Sequence, residues 1–168
     1  MKQIKNVIAV FALAIGLMFA QSCADPCKDV ECGANGTCVE GVCECNAGFE
    51  GDQCETEMRT KFLKTGATVS ETCGGTNTPA YTVDIIKGNA IDAVRIKNLG
   101  NYDCSGTTSE YYVEGTVSGT SLTIPQQTVN ILTCSITFSG SGSVSGTSVS
   151  ITYTATYTGG SDNCTVSL

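Results

Sequence analysis

CKDVECGANGTCVEGVCECNAGFEGDQC, residues 27–54, holds six of the eleven cysteines in this chain of 168 residues. Successive cysteines are separated by four, five, four, one and eight residues. The stretch has few apolar side chains, and a unit of fewer than ~40 residues cannot bury enough surface to fold by hydrophobic packing alone. We therefore predict a small module held together by disulfides, in a protein made for an oxidising compartment.

The second half of the stretch contains the pattern Cys43-x-Cys45, Gly48-Phe49 and Gly51-x-x-Cys54. The whole motif resembles an EGF-like module. Spacing alone permits many pairings of six cysteines. The resemblance implies the disulfides Cys27–Cys38, Cys32–Cys43 and Cys45–Cys54. It also implies a binding or structural role rather than catalysis.

Calcium is the ligand to consider for any module of this kind. Calcium-binding members carry acidic or amide residues just before the first cysteine, and an Asn or Asp between the third and fourth. Here Ala24-Asp25-Pro26 precedes Cys27, and residues 39–42 read VEGV. Ca²⁺ needs several oxygen ligands, which this pattern does not supply. We expect no calcium, no other metal and no cofactor.

Residues 1–22 predict a secretory signal peptide, because Lys2 and Lys5 precede an apolar run over 7–20. The residues Ala20-Gln21-Ser22 lead directly to Cys23, and this junction resembles a bacterial lipoprotein cleavage site. The resemblance implies that Cys23 is acylated and that residues 23–26 form a lipid-anchored N-terminus. Ordinary secretory cleavage after Ser22, leaving a free thiol, is the alternative.

The number of cysteines favours lipidation. Eleven is odd, and an odd cysteine in an exported protein requires an explanation. Six belong to residues 27–54, and four more lie downstream at Cys73, Cys104, Cys134 and Cys164. Cys23 is the cysteine left over, and it stands where the lipid would be attached.

The composition excludes several classes of function. The formal net charge is −7 with nine Lys and Arg, so the chain lacks the clustered cations that nucleic acid requires. There is no histidine, which removes Ser-His-Asp and Cys-His catalysis and the usual zinc ligand sets. Paired carboxylates can hydrolyse glycans, and the predicted strands carry Asp84, Asp92, Glu110 and Glu114. Solvated strand faces explain these four better, so we expect no enzyme.

The composition changes after residues 55–62, ETEMRTKF, which predict a short charged linker or a single helical turn. Beyond them Ser, Thr and Gly dominate, and apolar and polar residues alternate, most clearly over 148–157. Such alternation predicts half-buried strands. We expect a β-domain over 63–168 with eight strands at about 66–73, 80–87, 91–98, 109–117, 121–129, 133–144, 147–158 and 163–168.

Short connections and the absence of a helical period predict an antiparallel meander. Eight strands suit an up-and-down barrel, and a two-sheet sandwich is the alternative. In a meander the four downstream cysteines fall at one end. A closed sheet favours the pairs Cys73–Cys164 and Cys104–Cys134, and the alternative is Cys73–Cys104 with Cys134–Cys164. Tyr111 and Tyr112, near the long loop, are the candidate aromatic contact pair.

The C-terminal half also resembles a β-domain of bacteroidete-type lipoproteins, with a lipocalin-like character. The resemblance rests on Lys61-Phe62-Leu63, Glu71-Thr72-Cys73, Leu122-Thr123-Ile124-Pro125-x-Gln127, Ser139-Gly140-Ser141-Gly142 and Ile151-Thr152-Tyr153. A lipocalin-like barrel implies carriage of a small ligand. The small residues Gly140, Gly142 and Ala155, within apolar stripes, could leave room for one.

Together these features predict a protein exported to the cell envelope and lipid-anchored there, at the outer membrane or the cell surface. The EGF-like module would act as a spacer, and the β-domain would face outward with a binding or structural role. Its partners would be the membrane, through the N-terminal lipid, and an unidentified protein or glycan. Small-ligand carriage is the alternative function, and glycan hydrolysis is a remote one.

Overall fold

The computed structural model describes residues 25–104, 106 and 109–168. The predicted signal peptide, residues 1–22, and the predicted lipidation site Cys23 lie outside these residues. Within the described part, every regular element is a β-strand except for one 3-10 helix. In chain order the elements are β1 (Gly36–Val39), β2 (Val42–Cys45), β3 (Phe49–Glu50), β4 (Thr56–Glu57), the 3-10 helix (Met58–Phe62), β5 (Lys64–Val69), β6 (Glu71–Cys73), β7 (Thr76–Asn77), β8 (Tyr81–Lys87), β9 (Ala93–Lys97), β10 (Tyr112–Ser118), β11 (Ser121–Ile131), β12 (Cys134–Ser145), β13 (Ser148–Tyr157) and β14 (Gly160–Ser167).

The cysteine-rich part consists of two small antiparallel pairs. In the first pair, β1 and β2 form a hairpin in which Val39 lies opposite Val42. In the second, β3 pairs with β4, and Phe49 lies opposite Glu57. Three disulfides join Cys27 to Cys38, Cys32 to Cys43 and Cys45 to Cys54. These are the pairs that the EGF-like resemblance implies, and the β3–β4 pairing carries the module past its last cysteine.

The remaining strands form one antiparallel sheet of ten strands in the order β5-β8-β9-β10-β11-β12-β13-β14-β6-β7. The predicted count of eight is therefore wrong by two. The expected first strand, 66–73, is split at Ser70 into β5 and β6. The short β7 follows a turn at Gly74 and Gly75, both at positive φ, and pairs back onto β6. The prediction of a mostly β, antiparallel domain is confirmed.

The sheet is curled into a half-barrel, and one chain segment serves both of its edges. β5 pairs with β8, whereas β6, only one residue further along the chain, pairs with β14. The break at Ser70 therefore lets a single extended segment pair at both ends of the strand order, with only β7 beyond β6. Because the ten strands form one sheet, the two-sheet sandwich expected as an alternative does not occur in this part of the chain.

The core lies on the concave side of the sheet and follows from the alternating sequence. On β13 the residues Val149, Ile151, Tyr153 and Ala155 are buried, as the alternation predicts, while their neighbours are partly or fully exposed. The same alternation buries Ile136 and Phe138 on β12. Phe62 from the 3-10 helix, completely buried, joins this cluster. The segment 55–62 therefore contains the helical turn that was one of the two expectations for it.

The other disulfides tie the β-domain together. Cys73 on β6 and Cys164 on β14 are directly opposite in the register and are bonded. Cys104, in the loop between β9 and β10, is bonded to Cys134 at the start of β12. The closed-sheet pairing is thus the one present, and the alternative Cys73–Cys104 with Cys134–Cys164 does not occur.

Candidate functional site

The EGF-like module is fixed to the β-domain by a buried arginine. Arg59, on the 3-10 helix, is only 7% exposed. Its Nη1 donates hydrogen bonds to the carbonyl oxygens of Gly88 at 2.9 Å, Ala90 at 2.6 Å and Ala93 at 3.2 Å, all around the β8–β9 turn. Its Nε donates to Glu57 on β4 at 2.9 Å. One side chain therefore links a strand of the module to a turn of the sheet.

Further contacts surround this arginine. Lys87 lies 2.7 Å from the same Glu57 carboxylate, and hydrogen bonds from Arg59 and then Lys87 lower the pKa of Glu57 from 4.5 to about 2. Lys61 pairs with Glu50 of the module at 2.6 Å. A Cβ on Gly48 would stand 2.7 Å from the side chain of Ile91, so only glycine permits this close approach. The two units thus meet through side-chain and backbone contacts.

A second polar cluster lies inside the half-barrel. Glu71 on β6 is 2% exposed, and its carboxyl group accepts a hydrogen bond of 2.6 Å from the hydroxyl of Tyr153. Burial raises the pKa of Tyr153 well above its ordinary range, and the bond to Glu71 raises it further. Burial likewise raises the pKa of Tyr81, with the Glu71 charge as the next cause. The cluster is a network of protonated phenols around one carboxyl group.

Two of the interior tyrosines hold the loop that follows β9. The Tyr81 hydroxyl accepts a hydrogen bond of 3.0 Å from the Gly100 amide. The Tyr111 hydroxyl donates to the Leu99 carbonyl at 2.6 Å and accepts from the Tyr102 amide at 3.1 Å. Buried backbone groups need such partners. The loop that follows β9 is therefore attached to the interior of the sheet.

This loop lines a cleft at one end of the sheet, which we call the Asp162 cleft. Its volume is about 360 Å³. The walls come from the loop, the start of β12, the end of β13 and the start of β14. The residues that line it are Tyr102, Asp103, Cys104, Cys134, Ile136, Tyr157, Thr158 and Asp162.

The carboxylate of Asp162 is oriented by the two tyrosines of the cleft. The Tyr102 hydroxyl donates to its Oδ2 at 3.2 Å, and the Tyr157 hydroxyl donates to its Oδ1 at 3.2 Å. Burial and then the Asp162 charge raise the pKa of Tyr102, while the hydrogen bond to Asp162 is the main cause that raises the pKa of Tyr157. Both phenols therefore remain neutral donors, and Asp162 stands as their acceptor.

A smaller cavity of about 250 Å³ is lined by the same loop. Its lining includes Asn98, Asn101, Tyr102, Ser109, Glu110 and Tyr111. Glu110 is paired with Lys97 at 2.5 Å. The cavity is thus a polar recess beside the loop, and it shares Tyr102 and Asp103 with the Asp162 cleft.

Tyr111 and Tyr112, the aromatic contact pair expected from the sequence, face different surroundings in the structure. Tyr111 is 4% exposed and holds the loop, as described above. Tyr112 lies on the opposite face of β10, where the Arg95 guanidinium stacks 4.0 Å from its ring centroid. The two tyrosines therefore do not form one contact surface.

The four carboxylates considered for hydrolysis are dispersed rather than paired with one another. Asp84 accepts a hydrogen bond of 2.6 Å from the Gly66 amide. Glu114 pairs with Arg95 at 2.9 Å, and Glu110 pairs with Lys97. Asp92 and Glu110 lie just before β9 and β10 rather than on them. Three of the four are thus engaged with a cation or an amide.

Glu71, Cys73 and Cys164 bring three potential metal-ligand atoms within 4.8 Å of one another. The two sulfur atoms are bonded to each other. A disulfide offers no thiolate, and the thiolate is the form of cysteine that binds metal. This cluster is therefore a disulfide beside a buried carboxyl group, not a metal site.

Sequence reasoning missed Glu71, Asp162 and Arg59. A signal for Glu71 was present, because Val69, Glu71 and Cys73 alternate onto the same face of their strands, so Glu71 falls on the buried side. No local pattern marks Arg59 or Asp162, because the carbonyl groups that bind Arg59 lie about thirty residues away and Tyr102 lies sixty residues from Asp162.

The glycines expected to leave internal space do not do so. A Cβ on Gly140 would stand 2.8 Å from the Tyr153 backbone, and one on Gly142 would stand 2.7 Å from the Ser150 carbonyl oxygen. Neighbouring strands fill these positions. These two positions therefore add no space for a ligand, and the Asp162 cleft lies elsewhere, beside the start of β12 and the end of β13.

Within the described residues, no helix is both long and apolar enough to cross a membrane. Residues 27–57 match the family model of the Teneurin-like EGF domain. The match ends at Glu57, where the pairing of β3 with β4 also ends. No curated protein and no solved structure matches this chain significantly. The chain therefore contains an EGF-like module, joined to a curled antiparallel sheet.

Proposed function

We propose that this chain is an exported, lipid-anchored protein of the bacterial cell envelope with a binding or structural role. The single observation that carries the proposal is which cysteines form disulfides and which one does not. The five disulfides employ every cysteine in the sequence except Cys23. Disulfides indicate an oxidising compartment, and Cys23 follows the apolar N-terminal run at the position where lipoproteins are acylated.

The junction at Arg59 supports a role for the EGF-like module as a rigid spacer. Cys27 is four residues after Cys23, so the module would begin immediately beyond the lipid. Because Arg59 and Phe62 fix the module to the sheet, the β-domain would be held at a set distance from the membrane. The lipid site, the module and the β-domain follow one another in the order that such an anchor requires.

The tip of the β1–β2 hairpin supports a contact role for the module. Val39 and Val42 lie opposite each other there and are 41% and 69% exposed. Exposed apolar side chains at a protruding tip suit contact with a protein or glycan partner at the outer membrane or cell surface. A pull-down from envelope extract, with wild type and a Val39→Ser, Val42→Ser variant, compares the partners retained by each.

Fatty-acid labelling tests the proposal. The full-length protein is expressed in a bacterium with an outer membrane, in the presence of an alkyne-tagged fatty acid. We expect the wild type to be labelled and membrane-bound, whereas Cys23→Ser should lose the label and become soluble after export. A Cys23→Ser protein that keeps the label, or a wild type without it, would contradict lipid anchoring.

Small-ligand carriage is the second candidate function, and the Asp162 cleft favours it. A volume of about 360 Å³ lies within the range of small-molecule sites. The lipocalin-like resemblance adds to this candidate, although the space is at the end of the sheet rather than in its interior.

A further inference from the structure

We propose that the Asp162 cleft binds small organic cations, namely amines with an apolar body. The inference rests on the binding role proposed above and names the class of ligand. Three features of the cleft carry it: a carboxylate with free acceptor capacity, two aromatic rings beside it, and a surrounding sequence without positive charge.

The carboxylate is the first feature. Asp162 is half-buried, and each of its oxygens accepts one hydrogen bond, from Tyr102 or Tyr157. A carboxylate has about four lone-pair positions, so acceptor capacity remains for a ligand. The two phenols fix its orientation toward the cleft. Asp103 also lines the cleft and adds a second carboxylate.

The walls are the second feature. The rings of Tyr102 and Tyr157 lie 6.3 Å apart between centroids. Ile136, which is 1% exposed, and the Cys104–Cys134 disulfide complete an apolar floor. Aromatic faces attract cations through their quadrupole, and the apolar floor would receive a hydrocarbon body. The cleft therefore combines one charged group, the Asp162 carboxylate, with apolar walls.

The electrostatic surroundings are the third feature. The segments that form the cleft, residues 98–111, 132–136 and 157–163, contain no Lys or Arg in the sequence. Within the described residues Asp162 pairs with no Lys or Arg, and such a carboxylate attracts a positive ligand and repels a negative one. A neutral sugar would gain hydrogen bonds but no charge selectivity, so the cleft favours the amine.

A charge series in the wild-type protein tests the inference. The probes are 2-phenylethylamine, 2-phenylethanol and 3-phenylpropionate, which share an apolar body and differ in charge. Binding to the oxidised protein is measured by NMR of isotope-labelled tyrosines. We expect the amine to bind about tenfold more tightly than the alcohol, a difference of about 1.4 kcal/mol, and the carboxylate to bind more weakly than either. High salt should reduce the difference.

Variants locate the site. Asp162→Asn should reduce the affinity for the amine about tenfold, to that of the alcohol, and leave the alcohol unaffected. Asp103→Asn, which removes the second carboxylate of the lining, should have a smaller effect of the same kind. Glu114→Gln, which removes the same charge from the outer face of β10, is the matched control and should change nothing.

Several outcomes would overturn the inference. Equal affinity for amine and alcohol, preference for glucose or another neutral sugar, or unchanged amine binding in Asp162→Asn would each do so. The wild-type charge series decides the point even if a variant fails to fold. If no amine binds but Cys23 is acylated, the proposed ligand class is wrong and the envelope proposal stands. If an amine binds but Cys23 is not acylated, the envelope proposal is wrong and the ligand class stands.

Discussion

The hydroxyl of Tyr153 on β13 donates a hydrogen bond of 2.6 Å to the carboxyl group of Glu71 on β6. β14 lies between these two strands, so the bond crosses the concave side of the sheet. Both side chains are 2% exposed. A polar pair in such a place is stable only when both groups have partners, and this bond joins two strands that are not neighbours in the sheet.

Removing the Tyr153 hydroxyl should destabilise the fold. We expect Tyr153→Phe to lower the free energy of unfolding by about 2 kcal/mol, because it leaves a buried carboxyl group without that hydrogen bond. Tyr112→Phe is the control, since Tyr112 lies on the outer face under Arg95 and should change stability by less than ~0.5 kcal/mol. Urea unfolding measures both, and equal effects of the two substitutions would count against a structural role for the pair.

Alkaline pH should destabilise the fold through the tyrosines. Burial raises the pKa of Tyr81, Tyr111 and Tyr153 above the ordinary value of 10.0. The folded state therefore retains protons that the unfolded state loses above pH 10, so their contribution is complete below that pH and is lost as the pH rises further. Phenolate absorbance should lag behind that of the guanidinium-unfolded protein until the fold is lost. Superimposed titrations would show that these phenols are accessible.

The sequence predicted the two parts of the fold unequally well. The EGF-like module could be recognised because its spacing of cysteines is itself the framework. The strands of the β-domain could be placed because alternation determines which face is buried, and the turns at Gly119 and Gly146, both at positive φ, were marked by glycine. The break at Ser70 could not be predicted, because it depends on the pairing of β6 with the distant β14.

The β8–β9 turn shows the same limitation. The strands expected at about 80–87 and 91–98 leave a connection of three residues, but the connection in the structure is five residues long, 88–92. Its carbonyl groups at Gly88 and Ala90 bind Arg59, about thirty positions earlier in the chain. The conformation of the turn is therefore determined by a side chain that no local pattern connects with it.

The arginine at this junction should not be replaceable by lysine. Arg59→Lys keeps the charge but removes the planar fork that reaches several acceptors at once, and buried carbonyl groups then lose their donor. We expect a loss of about 2 kcal/mol in the free energy of unfolding, together with faster hydrogen exchange around residues 88–93.

Arg95→Lys supplies the matched control for that experiment, because Arg59 and Arg95 are the two arginines of the chain. Arg95 pairs with Glu114 on the surface, and an exposed pair of this kind contributes less than ~1 kcal/mol. Similar losses from both substitutions would mean that Arg59 does not fix the module to the sheet.

Partial reduction should unfold the module before the sheet. Between residues 27 and 54 the buried apolar side chains are those of Cys32 and Cys54, so disulfides supply most of that stability. The β-domain has a contiguous apolar core instead. Hydrogen exchange at increasing reductant should show loss of protection first in residues 27–54. Earlier loss in the β-domain would mean that its two disulfides support a poorly packed sheet.

Mass spectrometry of the protein from native bacterial membranes identifies the N-terminus of the mature chain and any group attached to it. We expect an N-terminal peptide that begins at Cys23 and carries a diacylglyceryl group on its sulfur. An N-terminus at Cys23 with an unmodified thiol, or cleavage at any other position, would contradict lipid anchoring.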